Sequence, residues 1–143
     1  MTRLSVRGIV SRDTWCLAWV AIAFGITIIS SHVESGRVRW SAAAWKVAQQ
    51  VPGSPASWGV MILLAGLLIV VGQRHGVTWR IIGLSTGFAW FCSLAASTVD
   101  ALWIDQHDGL PNTTNPLSTI AWLCFAAMYC VQVRDELRAW PSH

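Results

Sequence analysis

The sequence predicts an all-α polytopic membrane protein: four transmembrane helices in one bundle, with a short amphipathic helix outside it. Three observations carry this. Four long apolar runs have no Lys, Arg, Asp, Glu or His in their interiors. Only 12% of the 143 residues are charged, 54% are hydrophobic and the mean hydropathy is +0.49, whereas a soluble domain carries about 25% charged residues. Ten tryptophans occur, and seven of them lie at the ends of the apolar runs or in the connection between the first two. Trp15, Trp58 and Trp79 each open a run, Trp103 follows one, and Trp140 trails the last. Trp40 and Trp45 share the connection between the first two runs. Indole rings favour the headgroup zone, which serves both their apolar body and their N–H donor. These tryptophans are therefore expected at the membrane interface, and the lipid bilayer is the expected partner.

The first run covers about 15–31 and follows the basic start MTRLSVRGIVSRD. The residues after it, SSHVES, lack a small-x-small cleavage signal, so the segment reads as an uncleaved signal-anchor. The connection that follows contains SAAAWKVAQQV, in which Trp40, Ala44, Val47 and Val51 recur at helical spacing while Lys46, Gln49 and Gln50 point elsewhere. Pro52-Gly53 and Pro55 end that pattern. It predicts an amphipathic helix over about 41–51, lying on the outer leaflet or capping the bundle. The second run covers about 58–73 and the third about 80–99. The fourth covers about 117–133, introduced by Asn115-Pro116 with Ser118 near its start. The runs are roughly 15–19 residues, at or just below the ~20 needed to cross ~30 Å of hydrocarbon. Flanking Trp and Arg side chains extend short spans. The whole chain, 1–143, reads as one transmembrane domain.

Basic residues set the expected orientation. An even number of spans places Arg3, Arg7, Arg12, Arg74, Arg80, Arg134 and Arg138 on one side, and Arg37, Arg39 and Lys46 on the other. The positive-inside rule then predicts an inner-membrane protein with both termini in the cytoplasm. A net charge of +3, scattered along the chain, argues against a nucleic-acid partner.

The third run is the most patterned. Gly83 and Gly87 form GxxxG, and Ser85, Ala89, Ser93 and Ser97 form a second small-residue ridge at spacing four. Gly59 and Gly66 form a sparser one in the second run. Such ridges let helix backbones approach closely, either within one bundle or between copies. The four cysteines, Cys16, Cys92, Cys124 and Cys130, all lie in apolar runs without a CxxC pair, which suits packing residues rather than redox chemistry. Asp100, Asp105, His107 and Asp108 cluster after the third run. Asp105, His107 and Asp108 have the donor types of a divalent-metal site, but the spacing matches no metal motif, so solvated loop charges are expected. No histidine falls inside a run, so no haem is expected, and no cofactor of any kind is called for. No acidic, basic or histidine side chain lies in the interior of a run, which argues against an ion-coupled transporter. No nucleophile–base pair, Gly-rich phosphate loop or HExxH occurs, so no catalytic residue is assigned and an enzyme is not expected.

The basic start, the connection WSAAAWKVAQQVPGSPASWG leading into a Gly-rich run, and the charged tail VRDELRAW give a layout that resembles small four-span membrane proteins of actinobacterial phages, some of which act as holins. The resemblance implies self-assembly in the inner membrane and permeabilisation. Three functional classes follow from the sequence: a non-enzymatic self-assembling protein forming a homo-oligomer, an accessory subunit of a larger membrane complex, and a small membrane enzyme or redox carrier.

Overall fold

A computed structural model describes residues 3–35, 56–107 and 116–139. All of these except Gly76 are helical. Helix α1 is Arg3–Ser35, α2 is Ala56–His75, α3 is Val77–His107 and α4 is Pro116–Ala139. All four contain stretches long and apolar enough to cross a membrane. Among the described residues there is no strand. The amphipathic segment over 41–51, with Trp40 and Trp45, lies outside the described residues, as do Asp108 and Trp140.

The helices outrun the apolar runs. The fourth run ends near Val133, yet α4 continues to Ala139, and α3 continues from Val99 to His107. Backbone hydrogen bonding does not stop where side-chain polarity begins. The apolar runs therefore approximate hydrocarbon thickness rather than helix length. Another difference lies between the second and third runs, where residues 74–79 read as a connection. They are helical except for Gly76, which stands alone between α2 and α3 with φ +125°. Its N–H donates to the Gly72 carbonyl at 3.2 Å, closing the end of α2. Glycine adopts that backbone without a Cβ penalty, so it ends one helix and lets the next begin at once.

Consecutive helices pack side by side, α1 on α2, α2 on α3 and α3 on α4, while α1 and α4 hardly approach. The core is a column of apolar side chains running from Leu17, Ala18 and Ala21 on α1, through Ile62, Ala65 and Ile69 on α2, to Leu84, Trp90 and Phe91 on α3 and Tyr129 on α4. Its middle is aromatic. Phe24 meets Trp90, Phe91 and Trp122 edge-on, at centroid distances of 6.0, 6.4 and 5.6 Å, and Phe91 stacks on Phe125 at 5.1 Å. Edge-to-face and offset pairs at such distances exploit the ring quadrupole. Together these rings fill the gap left between α1 and α4.

Many large apolar side chains face outward rather than into the core. Ile26, Leu64, Leu67, Ile120, Leu123, Met128 and Val131 all face outward. So many exposed apolar side chains would make an aggregation surface in water; facing lipid tails, they are the stable choice. Leu67→Arg puts a charge on this surface within α2. It is expected to lower the amount of inserted protein, since an arginine at a span centre costs about 2.5–3.5 kcal/mol on the insertion scale. Wild-type levels of the variant in carbonate-washed membranes would contradict this.

Candidate functional site

The site is built from ridges that set how closely the helices approach. On α1 and α2, a Cβ added at Gly59 would lie 3.1 Å from the Gly25 carbonyl oxygen, and one at Gly25 would lie 2.8 Å from the Gly59 oxygen. A Cβ at Gly66 would lie 2.8 Å from the Ala18 oxygen. On α3, one at Gly83 would lie 2.7 Å from the Ala65 oxygen of α2 and 2.9 Å from the Ile69 nitrogen. The predicted packing residues Gly59, Gly66, Gly83 and Gly87 are all buried and occupied by contacts within the chain.

Gly87 has a different neighbour. The ring of Tyr129 from α4 lies where its side chain would be, and the phenolic O–H donates to the Leu17 carbonyl of α1 at 2.9 Å. A glycine on α3 thus lets a tyrosine of α4 cross the bundle and satisfy its hydroxyl on α1. Nearby, the Thr14 hydroxyl donates to Oε1 of Gln132 at 3.0 Å, both groups buried. These bonds place the early part of α1 and the late part of α4 at the same end of the bundle.

The same end holds a partly buried ion pair. Arg80 Nη2 donates to Glu136 Oε2 at 2.7 Å, with the two side chains 24% and 7% exposed. The Arg80 side chain packs over Gly72, and its Nε is buried without a hydrogen-bond partner. Reading the sequence by runs missed this pair, because Arg80 stands at the very edge of the third run and Glu136 lies beyond the end of the fourth. The available signal was spacing: Gln132 and Glu136 lie one turn apart on α4, continuing the face that carries Tyr129. Arg134 meets Asp135 at 3.2 Å on the surface.

The second small-residue ridge divides between two faces. Ser97 is buried, whereas Ser85, Ala89 and Ser93 face outward. The Ser93 hydroxyl donates to the Ala89 carbonyl at 2.8 Å and the Ser97 hydroxyl to the Ser93 carbonyl at 2.9 Å, so both are satisfied within α3. The bond across helices is made by other residues: the Thr119 hydroxyl of α4 donates to the Thr98 hydroxyl of α3 at 2.9 Å.

The tryptophans also divide. Trp58 is buried against Trp90 at a centroid distance of 6.2 Å, and its carbonyl accepts the Trp90 indole N–H at 3.0 Å. Trp15 is half-buried and stacks on Trp19 at 6.4 Å, while Trp79 and Trp103 are exposed. Asp105 and His107 lie on the last turns of α3. Among the described residues no cluster of three or more potential metal ligands forms. Comparison with known proteins finds no matching protein family, no matching curated protein and no matching solved structure.

Proposed function

We propose that this chain is a non-enzymatic integral membrane protein that acts by assembling laterally with copies of itself through the outward face of α3. One observation carries the reading. The outward faces of α2 and α4 bear bulky side chains such as Leu64, Leu67, Ile120 and Met128, as suits contact with lipid. In its middle turns α3 also presents Ser85, Ala89 and Ser93, at four-residue spacing and exposed, beside the exposed Ile82 and Phe88. The glycines of the same helix are already used inside the bundle, so this stripe is a small-residue face of α3 left for an intermolecular contact. Small side chains let two backbones approach closely, and close approach supplies the packing that holds helices together in lipid.

The clustering of basic residues at one end supports an inner-membrane protein with both termini cytoplasmic. The resemblance to four-span phage proteins extends the proposal to holin-like permeabilisation, in which the assembled form makes the membrane leak.

Ala89→Leu and Ser93→Leu test the reading without touching the core. Each is expected to leave the melting temperature near that of the wild type and to convert an oligomer to a monomer, read as bleaching steps per particle in supported bilayers. Dye release from vesicles is expected to fall with it. An oligomer that persists in both variants would refute the α3 face as the contact. A wild-type chain that is monomeric alone would favour the accessory-subunit reading instead.

A further inference from the structure

The outer half of α3 carries an unmatched carboxylate beside an apolar groove. Because α3 continues past Val99, Asp100 is carried on the helix within its apolar stretch Val77–Trp103. It is exposed, and among the described residues it makes no hydrogen bond or ion pair. An ionisable side chain on a membrane-spanning segment calls for a named counter-charge. Beside it a shallow, wide-open groove of about 540 Å³ runs along the α3–α4 flank. The small side chains of Ala95 and Ala96 leave the space, Val99 and Leu123 keep it apolar, and Asp100 and Trp103 stand one turn apart at its outer end. Trp103 is 64% exposed.

We propose that this groove binds a membrane lipid with an amine headgroup. The groove opens sideways on the membrane-facing flank, so its occupant comes from the bilayer. An acyl chain matches Ala95, Ala96, Val99 and Leu123. The head amine donates charge-assisted hydrogen bonds to the Asp100 carboxylate and lies over the Trp103 indole, a favourable place for a cation. An anionic headgroup is repelled by the same carboxylate. The proposal does not rest on self-assembly, since it needs one copy of the chain.

The test uses the full chain in phosphatidylglycerol nanodiscs, with spin-labelled phosphatidylethanolamine and spin-labelled phosphatidylglycerol of identical acyl chains as probes. The motionally restricted fraction of the amine lipid is expected to exceed that of the glycerol lipid by about three-fold, the scale of one exposed charge pair. Asp100→Asn is expected to bring the ratio to parity with an unchanged melting temperature. Ala96→Leu, which fills the groove and keeps the carboxylate, is expected to do the same. Parity in the wild type, or a preference that survives either substitution, would overturn the proposal.

Discussion

Gly83→Leu is expected to unfold the α2–α3 contact. A Cβ at this position meets two backbone atoms of α2, the Ala65 oxygen at 2.7 Å and the Ile69 nitrogen at 2.9 Å. Backbone cannot swing aside as a side chain can, so the two helices must separate along their length. Overpacking costs about 1–3 kcal/mol in ordinary cores, and a contact with no flexible partner belongs at the upper end. That is a fall in melting temperature of roughly 10 °C, judged by the behaviour of domains of this size. The control is Gly87→Ala. Its added methyl group meets the Tyr129 ring, which can rotate, so the expected loss is smaller and shows as a lost Tyr129–Leu17 bond. Equal melting temperatures for Gly83→Leu and the wild type in detergent would show that α2 and α3 do not meet at Gly83.

The second large effect concerns the partly buried pair. Glu136→Leu leaves the Arg80 guanidinium with its Nη2 partner removed and its Nε already unpartnered. Removing one member of a fully buried pair costs about 3–5 kcal/mol. Arg80 keeps 24% of its side chain exposed, so screening reduces this to about 2 kcal/mol. The double variant Arg80→Met/Glu136→Leu is expected to recover most of the loss, because an apolar pair of similar volume removes both desolvation costs. The four-variant cycle isolates the coupling between the residues. Additive single effects would mean that the pair contributes nothing to holding α3 and α4 together.

Much of this architecture is legible in the chain because a bilayer imposes a simple local rule. Each segment must be apolar over its own length and satisfy its own backbone, so Trp58–Gly72 and Leu117–Val133 declare themselves without knowledge of their neighbours. Small-residue ridges are also local, and GxxxG at Gly83 and Gly87 lies on the face of α3 that meets α2 at one glycine and Tyr129 of α4 at the other. Arg80, Glu136, Thr14 and Gln132 were not legible as a group. Each is an ordinary polar residue near the end of an apolar run, and only the antiparallel packing of α4 against α1 and α3 makes them neighbours. The same holds for Trp58: an indole at the start of a run reads as an interface anchor, and burial against Trp90 follows from where α3 lies.

The sequence alone determined that the chain is helical, that it has four membrane-length apolar segments, and that their exterior is apolar. Those properties follow from hydropathy summed along one segment at a time. The tertiary structure decided which small residues are consumed inside the bundle and which remain outside, that Gly76 alone separates α2 from α3, and that Arg80 faces Glu136. A side chain's partner depends on the rotation and crossing of two separate helices, and residues distant in the chain carry no local mark of that geometry.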